Sequence, residues 1–202
     1  IGVHKLAPDS IDASTCGFNA ADATFALQTA INSGAKTVHV PNMGTDWIVR
    51  PIELTSNNQE IIFEEGVVVS AKRGAFLGTG DCLFRALTRS GQPVLHGIKL
   101  TGYGATLKMW KDDYMGSPYV SSESRMGISL LGCGNITISG LTIKDTGGDG
   151  IYIDKNWSQS QNFCYDIVIQ DVTLDNNYRQ GISVISVERL LIDHCIIRNT
   201  NG

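Results

Sequence analysis

Apolar and polar residues alternate along much of this 202-residue chain, and over its last third the alternation returns in three copies. The copies read GISLLGCGNITISGLTIKDTGGDG, GIYIDKNWSQSQNFCYDIVIQDVTLDNNYRQG and GISVISVERLLIDHCIIRNTNG, and they line up on Gly127, Gly150 and Gly181. Ile128, Ile151 and Ile182 then share a column, as do Ile136, Ile167 and Leu190, and Ile138, Ile169 and Ile192. Two more columns hold Leu141, Val172 and Cys195, then Ile143, Leu174 and Ile197. The matched glycines stand 23 and then 31 residues apart, the difference being an insertion around 156–163. A period of two marks strands with one buried face. These strands are too short to form a sheet alone, and Gly, Asn or Asp joins them where a helix would otherwise be needed. Stacking the copies in register buries the apolar columns continuously, which is the solenoid solution for repeats of this length. The expected fold class is all-β, a parallel β-helix forming one domain over 1–202, with stacked coils over 42–202.

The same alternation extends upstream in larger coils. Trp47 to Leu54, Gln59 to Val69, Leu83 to Ala86 and Gly97 to Leu107 read as strands, with Ile61, Ile98 and Ile136 spaced by 37 and 38 residues. Residues 1–41 read as an N-terminal cap and first strand. Within them Asn19 is the expected helix N-cap, Ala23, Leu27, Ala30 and Ile31 form one face, and Gly34 is the stop. Val38 and Val40 follow as a strand that Pro41 ends. The longest irregular segment is 108–125, and long loops on one side of a solenoid form its binding face. Gly202 falls within a coil, so the solenoid is expected to be incomplete at its C-terminal end.

Composition narrows the function more than the fold. An apolar content of 42% with 22 glycines fits a glycine-punctuated β structure. The net charge of -4 offers no basic stripe for nucleic acid. No run of about 18 apolar residues exists, so no membrane insertion is expected. The chain begins at Ile1 without a signal peptide, and a secretory signal is expected to lie outside it. Five cysteines leave at least one thiol free. Cys133 and Cys164 share a repeat position, where stacked side chains point the same way and fit disulfide geometry poorly, so they read as small buried packers. No Cys-x-x-Cys or His cluster points to zinc.

Charge converges at the mouth of the repeated Gly-Ile strand. The two positions before the glycine hold Arg125 and Met126, then Gly148 and Asp149, then Arg179 and Gln180. With strands about 4.8 Å apart, Asp149 is expected one rung from each arginine on an outer surface. One carboxylate between two guanidinium groups suits a sugar carboxylate or a polarised hydroxyl. The alternative is an ion-pair ladder that only compensates stacked charges.

Two stretches carry a family resemblance. DATFALQTAINSGAKTVHVP, from Asp22 to Pro41, resembles the N-terminal segment of the pectate-lyase-like superfamily of right-handed parallel β-helix proteins. DTGGDGIYID followed one coil later by NNYRQGISV is similar to the bacterial polysaccharide-active members, which include lyases, epimerases and glycoside hydrolases. Gly147 to Gly150 resembles the Asn-Thr-Asp-Gly motif of polygalacturonase-type hydrolases, so the resemblance implies that Asp149 is catalytic. Those enzymes carry an Asp pair one coil later, where this chain has Arg179 and Gln180. A second carboxylate for inverting hydrolysis is therefore not evident. For a lyase or epimerase the resemblance implies an Arg or Lys base and Ca²⁺ or Arg opposite the acid group. Asp149 with Asp154 or Asp145 are the oxygen ligands available to Ca²⁺. Arg125 or Arg179 takes the other role, and Lys155 and His194 are further base candidates.

Gln180, Tyr178, Lys155, Trp157, Tyr152 and Trp110 are the expected substrate-binding residues, the aromatics as platforms for sugar rings or as anchors of their own loops. Other polar columns, Asp145, Asn176 and Asn199 and then Thr146, Asn177 and Thr200, read as turn ladders that bond neighbouring coils. Asn135-Ile-Thr and Asn156-Trp-Ser match the glycosylation pattern. Two functions are carried forward. One is a secreted, periplasmic or cell-surface enzyme that acts on an acidic polysaccharide by uronate β-elimination or glycoside hydrolysis. The other is a noncatalytic carbohydrate-binding or adhesive β-helix such as a tailspike segment. Expected partners are a polysaccharide or oligosaccharide and, through the uncapped end, the rest of a longer β-helix or a second copy.

Overall fold

A computed structural model describes residues 7–157 and 163–201. β1 (Ser10–Asp12) and the helix α1 (Thr24–Asn32) precede the coils, and each complete coil then lays one strand on each of three sheets. The first coil is β2 (Thr37–Val40), β3 (Trp47–Val49) and β4 (Ile52–Leu54), and the second is β5 (Glu60–Phe63), β6 (Val68–Ala71) and β7 (Phe84–Leu87). The third is β8 (Lys99–Thr101), β9 (Thr106–Lys108) and β10 (Ile128–Leu131), and the fourth is β11 (Gly134–Ser139), β12 (Thr142–Lys144) and β13 (Ile151–Asp154). The fifth is β14 (Cys164–Gln170), β15 (Thr173–Asp175) and β16 (Ile182–Val184), and β17 (Val187–Asp193) and β18 (Ile196–Arg198) follow. The sheets run β1-β2-β5-β8-β11-β14-β17, β3-β6-β9-β12-β15-β18 and β4-β7-β10-β13-β16. Every named pairing is parallel, so the chain is a parallel β-helix, as its alternation predicts.

The repeat columns are the core. Ile138 pairs with Ile169 and Ile169 with Ile192, Ile143 with Leu174 and Leu174 with Ile197, and Ile128 with Ile151 and Ile151 with Ile182. Except for Ile182, Ile192 and Ile197 these residues are buried, each contributing about 1.5–3 kcal/mol. One upstream register differs from the sequence expectation. Ile61 pairs with Leu100, two residues beyond Ile98. The register puts Gln59 opposite Ile98, and the Gln59 Nε2 donates to the carbonyls of Ile31 (3.1 Å) and Ala35 (2.7 Å). A buried polar side chain tied to the end of α1 thus occupies a place where alternation alone expects an aliphatic one.

α1 closes the first coil with Ala26, Leu27, Ala30 and Ile31 buried, and Gly34 stops it at φ 72°. It starts later than expected. Asn19 accepts from the Ala21 N–H, whereas Asp22 takes the Thr24 N–H at the helix entrance. The Trp47 to Leu54 stretch is two strands rather than one, because the chain turns between sheets at Arg50 and Pro51, and Pro51 cannot donate a ladder bond. The turns repeat in register as well. Asp145, Asn176 and Asn199 sit at φ 56°, 54° and 56°, a region that Asn and Asp tolerate better than other residues with a side chain. Asn176 Nδ2 donates to Asp145 Oδ1 at 2.8 Å, so this column is the expected ladder. The five cysteines are free thiols, with Cys133 and Cys164 buried and their sulfurs 3.8 Å apart. Among the described residues no helix is long and apolar enough to cross a membrane.

Candidate functional site

The five-stranded sheet presents Glu53, Arg85, Ser129, Tyr152 and Ser183 in one cross-strand row on its outer face. Asp149 lies just before β13 at the mouth of this sheet, where the stacked turns from the six-stranded sheet arrive. Its side chain is fully buried. Oδ1 accepts from the Gln180 N–H at 3.1 Å and stands 3.9 Å from Arg179 Nε, and Oδ2 has no hydrogen-bond partner. Burial raises its pKa, against the lowering pull of the Ser183 hydroxyl, the Arg179 guanidinium and the Gln180 N–H, while the charge on Glu123 adds to the rise.

Glu123 is the residue that sequence reasoning missed. It belongs to the long 109–125 loop, and its Oε2 lies 3.9 Å from the same Arg179 Nε. Arg179 is therefore within 4 Å of both a buried carboxyl and an exposed one, and alternation gives no signal for the second because the loop has none. Two glycines before Asp149 are the one trace of it in the sequence. A Cβ on Gly148 would meet the Glu123 carbonyl oxygen at 2.5 Å, and one on Gly147 would meet the Tyr114 ring at 2.4 Å, so the pair lets the loop lie directly on the turn.

Arg125 does not join Asp149, contrary to the expected row of three charges. It is fully buried beneath the loop, where Nε donates to the Phe76 carbonyl and Nη2 to the Val120 carbonyl, both at 2.9 Å. Its guanidinium lies 5.3 and 5.5 Å from the centroids of the Tyr114 and Tyr119 rings. The reason is register: the residue at the corresponding position of the next coil is Gly148, and the space above it is filled by loop rather than solvent.

Tyr152 and Trp157 both donate to Asp154 Oδ2 at 2.8 Å, and the Lys155 N–H donates to Oδ1 at 2.7 Å. Burial and the Asp154 bond push the Tyr152 pKa up to about 12, so its hydroxyl is a donor at neutral pH. Lys155 Nζ sits 4.2 Å over the exposed Trp157 ring. Asp154 thus organises the far end of β13, and its oxygens already accept protein hydrogen bonds. Asp145 accepts from Asn176 and pairs with Lys144 at 3.4 Å. Among the described residues no three His, Cys, Asp or Glu side chains converge.

Gln180 accepts from the Ser183 hydroxyl at 2.8 Å, and Tyr178 is half-buried with its N–H on the Thr146 carbonyl. Both stand in the turn that carries Arg179. Trp110 is elsewhere: its Nε1 donates to the Ala71 carbonyl and its ring carries Arg73 and Lys108 at 4.0 and 4.3 Å, beyond the end of β9. His194 lies in the turn after β17, away from the five-stranded sheet, against Asp193 at 2.9 Å. Part of the 156–163 insertion, including Ser158 of the second glycosylation pattern, lies outside the described residues.

Residues 116–202 match the family model described as a right handed beta helix region. Among solved structures, an iota-carrageenase complexed to iota-carrageenan fragments aligns with TM-score 0.71 and 19% identity over 91% of this chain, which spans 40% of that protein. A glycosyl-hydrolase candidate from Parabacteroides merdae aligns with TM-score 0.62 and 16% identity, covering 93% of this chain and 95% of the other. A Geobacillus virus E2 protein, ORF18, aligns with TM-score 0.55 and 14% identity over 93% of this chain and 42% of its own. No curated protein sequence matches. At these identities the likeness is one of fold.

Proposed function

We propose that this right-handed parallel β-helix binds an acidic polysaccharide across the outer face of its five-stranded sheet and cleaves it by glycoside hydrolysis. The observation that carries the reading is that Asp149 and Glu123 each place a carboxylate oxygen 3.9 Å from Nε of the same Arg179. The two carboxylate oxygens are therefore no further apart than twice that distance. That bound admits the separation of about 5–5.5 Å used for retention and the lower part of the roughly 6.5–9.5 Å range used for inversion.

The environments divide the roles. Asp149, buried with a raised pKa and an unpartnered oxygen, suits the general acid that protonates the leaving oxygen. Glu123 is 64% exposed and suits the carboxylate that activates water or attacks. Arg179 offers a planar fork to a sugar carboxylate or sulfate. As the anion draws Arg179 off Asp149, the acid is uncovered. Tyr152, Ser183 and Gln180 line the approach, and exposed Trp157 supplies an aromatic edge for a sugar ring. The carrageenase likeness supports a sulfated or otherwise acidic polymer as the substrate, and a polymer of that kind fits a secreted or cell-surface protein.

A second reading, noncatalytic binding, is favoured by one observation, the complete burial of Asp149 in the unliganded chain. Incubation with iota-carrageenan, polygalacturonate, alginate and chondroitin sulfate separates the readings. Hydrolysis releases reducing ends from at least one polymer without the ultraviolet absorbance of an unsaturated uronate, and D149N and E123Q each lower the rate by about 100-fold or more. An absorbance rise identifies elimination instead. Retained binding with no product supports the noncatalytic reading.

A further inference from the structure

We infer that Arg125, Ser122 and Tyr119 form a latch that, with the Gly147–Gly148 pair beneath it, holds Glu123 in place beside Arg179. The latch grips the chain between Gly74 and Thr79 at three points. The Tyr119 hydroxyl accepts from the Gly74 N–H at 2.6 Å, Arg125 donates to the Phe76 carbonyl at 2.9 Å, and the Ser122 hydroxyl donates to the Thr79 carbonyl at 2.6 Å. Arg125 also donates to the Val120 carbonyl of its own loop, so one guanidinium ties two segments together. Tyr114 and Tyr119 pack edge to face at 4.9 Å beneath that cation. Ser122 turns back to accept from the Ser124 N–H at 3.0 Å. Glu123 lies between these anchors.

Chemistry favours a positioning role over simple filling. A buried guanidinium carries a heavy desolvation cost, and a well-packed apolar residue in its place is often as stable or more so. What an apolar residue lacks is the rigid fork that fixes two chain segments in one relative orientation. From below, Gly148 sets the height of the loop: its Cβ would stand 2.5 Å from the Glu123 carbonyl oxygen and 3.0 Å from the Arg125 nitrogen. The φ of Gly148 lies outside the left-handed range, so alanine there tests close approach alone.

The latch concerns geometry, and only its effect on turnover rests on the proposed hydrolysis. The test is the carboxyl titration of Asp149 by ¹³C NMR in wild type, E123Q, Y119F and G148A, and in each of the last two combined with E123Q. Arg125 is left intact because its replacement is the change least certain to fold. Glu123 holds the Asp149 titration up, so E123Q moves the midpoint down. Y119F and G148A are expected to move it in the same direction and to add nothing once Glu123 is neutral. Wild-type midpoints in Y119F and G148A, shifts that add to that of E123Q, or no shift in E123Q itself would each overturn the latch. Turnover of whichever polymer the panel identifies separates the two ideas. Loss of activity in E123Q with unmoved titrations in Y119F and G148A removes the latch and leaves hydrolysis standing. Full activity in E123Q with the expected titrations does the reverse.

Discussion

Asp149 combines two features that the sequence presents separately, a motif position and a buried place. Because burial raises its pKa, the folded protein keeps a proton that the unfolded chain releases near the ordinary carboxylate value of about 3.9. The stability this proton confers is present below about pH 4 and is lost as pH rises through the native pKa. D149N is neutral throughout, and its amide oxygen can still accept the Gln180 N–H. It is expected to melt above the wild type at neutral pH, with the difference vanishing near about pH 3. Thermal denaturation across that range measures it, and an equal offset at both ends would show that the Asp149 carboxyl is not perturbed by folding. The motif made Asp149 legible. Its burial was not, since it depends on which residues the next coil brings to it, among them Arg179 and Gln180. Arg125 teaches the same lesson in reverse: its position in the repeat is legible, and its direction is not.

At the scale of elements, turn columns are as regular as the core columns. Asp145, Asn176 and Asn199 repeat one left-handed conformation, which costs about 1–2 kcal/mol for an ordinary residue and little for glycine. Asn176→Ala loses the bonds to Asp145 and Lys111 and meets that cost, whereas Asn176→Gly loses only the bonds. Urea denaturation should place Asn176→Gly above Asn176→Ala by about 1 kcal/mol, with both below the wild type. Equal stabilities would mean that the column rests on side-chain bonding alone. The strands and this ladder were legible because a stacked repeat writes the same requirement into every coil. Elements that occur once were read less well. α1 begins at Thr24 and not directly after Asn19, whose side chain accepts from the Ala21 N–H while Asp22 takes the Thr24 N–H. The Trp47 to Leu54 run bends between sheets at a proline, and Gln59 breaks the aliphatic column because it answers to the end of α1.

Across the whole molecule, the two ends of the solenoid differ. α1 covers the first coil, whereas Val184, Ile185, Leu191, Ile192, Ile196 and Ile197, from β16 to β18, are 42–55% exposed. Ile192 and Ile197 continue columns that are buried in every earlier coil for which they have a partner, and β16, β17 and β18 pair on one side only. Apolar surface beside unpaired strand edges invites a second copy. The 202-residue chain is expected to elute with light scattering above its 21.8 kDa mass, and replacing Ile192 and Ile197 by lysine should return it toward that mass. A monomer at high concentration, unchanged by those substitutions, would show that this surface does not associate.

By itself the sequence determined that the chain winds into stacked coils, which residues face inward, and where the turns fall, because each of these is a local rule repeated at every rung. Only the tertiary structure decided that Arg125 turns under the loop and that Glu123 comes to Arg179. Those contacts join segments with no shared period, so their energy depends on which surfaces the coils bring together and not on any pattern along the chain.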